Sequence, residues 1–180
     1  ASKFDLKEIE QEFRAQIELA LKNIPQITHI SGHMMSTGFS PEVLELVQKL
    51  SEEYGLPSID RAGAGEQYDF TYVGFTGPKA TAEKKIASFI KTLDQMEEGK
   101  RYLFVEHPAY DDSEMQTVMH VGYEDVAVDR QGITDLLKSP QVKKAIEERG
   151  INLIDINYLT KQLPRKDASA RMKKAMDKYL

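Results

Sequence analysis

Residues 81–110 read TAEKKIASFIKTLDQMEEGKRYLFVEHPAY, and the reading of this stretch decides the fold. Ile86, Phe89, Ile90 and Leu93 recur at helical spacing, which predicts a helix over Thr81 to Glu97. Gly99 ends that helix, and Tyr102-Leu103-Phe104-Val105 predicts a strand over Arg101 to Glu106. His107-Pro108 follows at once. The proline holds the residue before it in extended backbone, and the C-terminal end of a strand is where α/β enzymes gather catalytic side chains. His107 there suits general acid or base work; a structural histidine at a loop boundary fits the same position.

Outward from this unit, helix and strand patterns alternate, as in a parallel sheet with helical crossovers. Asp5 to Asn23 carries Leu6, Ile9, Phe13, Ile17 and Leu21 on one face, with Asp5 as N-cap and Glu8 three residues on. Ile27 to Ser31 reads as a short strand. Pro41 opens a helix that packs Val43, Leu46, Val47 and Leu50, and Gly55 closes it. A second short strand is expected over Pro57 to Asp60. Ala62 to Gly77 reads as a loop, with a strand at Phe70 to Phe75 as the alternative. Asp111 to Tyr123 is a polar loop. Two short helices flank Ser139-Pro140, Ile151 to Asp155 is expected as a strand, and Ala168 to Leu180 as an amphipathic helix. The strands number about four, half of what a closed (β/α) barrel needs. Residues 1–180 read as a single domain.

Composition narrows the function classes. The chain has 180 residues, 41% hydrophobic and 29% charged, with a formal net charge of −5. That charge argues against nucleic acid as a partner. The most basic stretch, Lys161 to Lys178, contains Asp167 and Asp177 and reads as a solvated helix face. No apolar run approaches the roughly 20 residues of a membrane span, and no membrane partner is expected. With no cysteine, thiolate metal sites and cysteine nucleophiles are excluded. The pattern shows no signal peptide, and a chain starting at Ala1 is expected to have lost something upstream. The compartment stays open: cytoplasmic, or exported if a signal peptide was removed upstream. No Gly-x-Gly-x-x-Gly, phosphate-binding loop or Gly-x-Ser-x-Gly elbow occurs, which disfavours nucleotide binding and the simplest serine hydrolases.

The remaining chemistry rests on histidine. Of four in the chain, His29 and His33 lie four residues apart in Thr28-His29-Ile30-Ser31-Gly32-His33. Imidazole is a metal ligand and a proton carrier near neutral pH, and a catalytic metal needs about three protein ligands. Along a strand the two would stand about 13 Å apart. They converge only if the chain bends, and Ser31-Gly32 is where a bend is expected. Two ligands, one ligand with a neighbour, and two buried structural histidines all fit this spacing. Asp111 and Asp112 fit metal binding or a turn, Ser36-Thr37 reads as loop and capping chemistry, and Arg61 fits an oxyanion or sugar contact or a surface charge. His120 lies in a polar stretch.

Several segments, in order, resemble the YdjC-like carbohydrate deacetylase family. Glu12 through Gln16 to Glu18 resembles its helix before the histidine strand, and Thr28 to His33 its Thr-His-Leu-Asp-Ser-His motif. Pro41 through Pro57 resembles the next helix, with Arg61 where the family tends to carry arginine. Phe104 to Tyr110 resembles its His-Pro-Gly segment. Asp129-Arg130-Gln131 through Leu136, Ser139 to Val142 and Gly150 to Ile154 resemble its C-terminal signature. The resemblance implies a (β/α)-barrel-like fold and a hydrolase, dependent on a divalent metal (Mg or Zn), that removes acetyl groups from N-acetylated sugars or oligosaccharides. It maps His33 to a metal ligand, His29 to a second ligand or a neighbour of the metal, His107 to the catalytic acid, and Arg61 and Arg130 to substrate binding. Ser31 and Met35 stand where many members have Asp and His, and the family's Asp-Asp-x-Gly and later His-x-x-Leu segments have no counterpart. By this match the chain is the C-terminal half to two-thirds of the usual protein, a barrel lacking its N-terminal strands, and whether it is active alone is left open. The expectation is that a homodimer or a complementing N-terminal segment supplies them. A non-catalytic α/β module binding a sugar or a partner is the alternative, and a metal hydrolase of another class, such as a phosphoesterase, fits the histidines but not the ordered motifs.

Overall fold

The computed structural model describes residues 4–59, 65 and 68–160. Arg61 and the helix expected over Ala168 to Leu180 lie outside them. The chain divides into two compact units, residues 1–69 with 154–180, and residues 70–153.

The first unit is built on two helices. In α1, Leu6–Asn23, Asp5 caps the first turn by accepting from the Lys7 amide at 2.8 Å. In α2, Pro41–Tyr54, Ser40 accepts from the Val43 amide at 3.3 Å, Pro41 occupies the first turn, and Gly55 ends the helix at φ 61°. Ile17 and Leu21 of α1 meet Leu46, Leu50 and Tyr54 of α2 over Leu56, with Phe13, Ile27 and Ile30 at the edge. Fully burying one such leucine is worth about 1.5–3 kcal/mol. The rim is charged: the buried Arg14 guanidinium bonds Glu10 at 2.8 Å, Glu53 at 2.6 Å and the Tyr54 hydroxyl at 3.3 Å. Hydrogen bonding from Arg14, then from Lys49, holds the Glu10 carboxyl below its ordinary range. The strands expected at Ile27 to Ser31 and Pro57 to Asp60 reduce to one parallel bridge, Ile30 with Ser58. The short helix α6, Ile156–Thr160, also belongs to this unit.

The second unit is a βαβ layer with two further helices. β1, Thr71–Val73, and β2, Tyr102–Phe104, pair in parallel with Thr71 opposite Tyr102 and Val73 opposite Phe104. α3, Ala82–Leu93, connects them and starts at Thr81, which caps the Lys84 amide at 3.3 Å. α4, Val126–Lys138, and α5, Pro140–Glu148, pack on α3. Phe89 and Leu93 meet Leu136, Val142 and Ala145, and Phe104 lies edge-on to Phe75 and against Phe89. The strand in Phe70 to Phe75 exists, against the loop reading, because β2 gives it a partner. Ile151 to Asp155 is not a strand. The Ile151 amide folds back to the Ile146 carbonyl at 3.1 Å to close α5, and Leu153 is exposed. The chain is thus mixed α/β with a small parallel sheet and six α-helices among the described residues. None of these helices is long and apolar enough to cross a membrane.

One face of α3 is polar and buried. Lys85 (2% exposed), Ser88 and Thr92 lie along it and hold the segment that follows β1. Lys85 Nζ donates to the Lys79 carbonyl at 2.6 Å, the Ser88 hydroxyl to Pro78 at 2.6 Å, and the Thr92 hydroxyl to Gly74 at 2.7 Å. Gly77, at φ 136°, stands where a Cβ would lie 2.8 Å from the Ser88 hydroxyl, so the close approach and the backbone angle both demand glycine.

Candidate functional site

In the first unit the chain leaves α1 and runs past Thr28, whose hydroxyl lies 3.0 Å from Nδ1 of the half-buried His29. The Ile30 amide then donates to the Pro57 carbonyl at 3.0 Å, fixing the segment next to the fully buried Ser58. Gly32 is extended (φ −96°, ψ 135°) and touches Thr37 so closely that a Cβ would come 2.2 Å from its Cγ2. The bend expected at Ser31-Gly32 lies two residues later. Residues 33–35 form a 3-10 turn, Met34 takes the left-handed conformation at φ 48°, and the Ser36 amide closes on the His33 carbonyl at 3.0 Å. Gly32 is therefore needed for close packing, not for its backbone freedom. The turn leaves the His33 imidazole exposed.

In the second unit His107 stands three residues beyond β2, also exposed. The residues behind it are tied to α4. The Ala109 amide donates to the Arg130 carbonyl at 3.3 Å, the Thr134 hydroxyl to the Ala109 carbonyl at 2.7 Å, and the Asp111 amide to Gln131 Oε1 at 2.9 Å. Lys138 Nζ lies 3.5 Å from the Tyr110 hydroxyl and 5.5 Å from its ring centroid. Further along the loop, Asp112 accepts from the Glu114 and Met115 amides at 3.1 and 2.9 Å, and Asp111 from Gln116 at 2.8 Å. These carboxylates work as turn acceptors. The exposed His120 sits edge-on to Tyr123 across a tight hairpin.

Asp129, the first residue of the segment that includes Arg130, closes the loop's far end. Its carboxylate takes Lys85 Nζ at 2.5 Å and the Tyr123 hydroxyl at 2.5 Å. Burial pushes the Asp129 carboxyl up, but the hydrogen bonds from Lys85 and Tyr123 and the Lys85 and Lys79 charges outweigh it, leaving it below its ordinary range. Burial, with the bond to Asp129, pushes the Tyr123 hydroxyl up against the opposing influence of Arg130. Gly132 sits under the Lys85 stem, where a Cβ would lie 3.0 Å from Lys85 Cε.

The expected site residues therefore fall into two groups. His29 and His33 share one segment of the first unit, while His107 and Arg130 are joined through the Ala109–Arg130 bond in the second; Arg61 is outside the described residues. Among the described residues no three His, Cys, Asp or Glu side chains group to hold a metal ion. The sequence reading singled out neither Thr134, Lys138 nor the buried Lys85, and named Gln131 only within the C-terminal signature. Their signal was polar residues at i, i+3 and i+7 within helices otherwise read for their apolar face.

Residues 1–148 match the family described as YdjC-like protein. The chain is 28% identical over 159 residues to a carbohydrate deacetylase of Vibrio parahaemolyticus, covering 87% of this chain and 60% of that protein. It is also 28% identical over 169 residues to a carbohydrate deacetylase of Enterococcus faecalis, covering 87% and 62%. Among solved structures it is similar to a protein of Enterococcus faecalis V583 whose suggested role is cellobiose-phosphate cleavage. That similarity has a TM-score of 0.65 at 25% identity, over 87% of this chain and 62% of that one. The chain thus spans about three-fifths of the length of the relatives it matches. By the match over residues 1–148, it belongs to the YdjC-like family.

Proposed function

We propose that this chain carries part of the active site of a carbohydrate deacetylase, a hydrolase that cleaves the acetamide of an N-acetylated sugar or oligosaccharide. The observation that carries the reading is that relatives matched over 87% of the chain are carbohydrate deacetylases. An exposed His107 on an anchored loop at a strand's C-terminal end supports it. Water is added across the C–N bond to give acetate and the free amine. His107 supplies a proton to the leaving nitrogen and regains one from the attacking water. Arg130, and Arg61 on the other side of β1 in sequence, are proposed to bind the sugar through hydroxyl or carbonyl oxygens.

The finer reading adds a (β/α)-barrel-like fold and a divalent ion, Mg or Zn, with His33 as ligand and His29 as ligand or neighbour. Two imidazoles leave that ligand set short, and further ligands would have to come from a homodimer or a complementing N-terminal segment. The described residues carry no step through such an ion.

Acetate release from N-acetylglucosamine oligomers tests the reading. Measured with and without an added N-terminal segment, acetate release with Mg or Zn present should exceed heat-treated controls and should fall when the metal is left out. Equilibrium dialysis should show Zn retained by the wild type and released by His33→Ala. Retention unchanged in that variant would remove His33 from the ligand set. Sugar binding without acetate release under any condition would favour the non-catalytic module.

A further inference from the structure

The loop behind His107 is held by one face of one helix. Gln131, Thr134 and Lys138 are spaced i, i+3 and i+7 on α4 and reach Asp111, Ala109 and Tyr110 in turn. Thr134 is the buried member, 9% exposed. Its single hydroxyl proton has two acceptors in range, the Ala109 carbonyl at 2.7 Å and its own helix's Arg130 carbonyl at 3.3 Å. The shorter bond takes it. Only Pro108 separates Ala109 from His107, and the proline ring fixes one of the few torsions between them. Fixing the Ala109 carbonyl therefore narrows the directions in which the backbone presents the exposed His107 imidazole.

We propose that Thr134 is a positioning residue for His107, holding the Ala109 carbonyl so that the imidazole faces the leaving nitrogen of the sugar acetamide. This rests on the reading of His107 as the acid. The Ala109 and Asp111 amides, bonded to Arg130 and Gln131, report on the clamp whether or not the reaction is observed.

The test is hydrogen exchange at those two amides in the purified chain, with kcat and KM for acetate release, in wild type, Thr134→Ser, Thr134→Val and Gln131→Ala. In Thr134→Val, exchange at Ala109 should accelerate about tenfold or more, and kcat should fall about tenfold with KM within about twofold. Thr134→Ser keeps the hydroxyl and should match the wild type in both. Gln131→Ala frees the Asp111 amide from an exposed position, and should lower kcat by a few-fold with KM unchanged even if Thr134→Val does not fold. Wild-type exchange in Thr134→Val, or equal losses in Thr134→Ser and Thr134→Val, would overturn the proposal. If no form releases acetate, with or without an added N-terminal segment, the deacetylase reading fails. The exchange rates then decide alone: acceleration in Val but not Ser supports the clamp, and no difference sinks it.

Discussion

The two histidine turns differ in how far side-chain hydrogen bonds hold them. Among the described residues, 30–37 show a backbone bond to Pro57, a turn bond from the Ser36 amide to His33, one left-handed residue at Met34, and Thr37 packed close against Gly32. Residues 107–123 are held by polar tethers to α4 and Lys85 at both ends. A steric lock fails abruptly when one atom is added. A tethered loop loosens by degrees as single bonds are lost, which makes it the better place to hold a proton donor that must keep its direction.

The largest expected effect breaks the polar side. Lys85→Met should cost about 3 kcal/mol, because it leaves the Lys79 carbonyl and the Asp129 carboxylate without the buried ammonium. Urea unfolding measures it, and a loss under about 1 kcal/mol would show that the ammonium is dispensable. Next, Gly32→Ala should cost about 1–3 kcal/mol, since its Cβ would overlap Thr37. Adding Thr37→Ala should restore part of that stability. If the single variant melts like wild type, the turn is not sterically locked.

A subtler contrast is in acid. Asp129 and Glu10 are both held below their ordinary carboxyl values, 3.8 and 4.5. A depressed carboxyl contributes stability that is present above its unfolded value and lost as pH falls through its folded value. The Asp129 share should therefore drain away below about pH 4, and Asp129→Asn should flatten the stability-against-pH curve there. Glu10→Gln should do the same beginning slightly higher. An unchanged slope in either variant would separate that carboxylate from acid unfolding. The smallest effect is expected at the exposed Arg149–Asp94 pair. Arg149→Ala should shift stability by about 0.5 kcal/mol or less and weaken further in salt.

Much of this was legible in the chain. Caps and punctuation marked the helices: Asp5 for α1, Pro41 and Gly55 for α2, Ser139-Pro140 between α4 and α5. The strand before His107 was legible as the run Tyr102 to Phe104, although the helix before it stops at Leu93, with Asp94 as C-cap, and not at the expected Gly99. Short apolar runs misled, since an isolated run does not reveal whether a neighbour pairs with it. Thr71–Val73 has β2 beside it and is a strand, whereas Ile151 to Asp155 is not. His33 and His107 were found as residues, but what holds them was not. A lysine is so seldom buried that nothing in the sequence singled out Lys85, and nothing there set Thr134 apart from its neighbours. The bend was also misplaced, because glycine suggested freedom at Gly32 where close packing was the need.

The most direct test of the central claim is the rate of acetate release from N-acetylglucosamine oligomers by the wild-type chain and by His107→Gln. General acid catalysis by His107 predicts a kcat lower by about a hundredfold or more in the variant, with folding and KM preserved. Equal rates in the two proteins would contradict it.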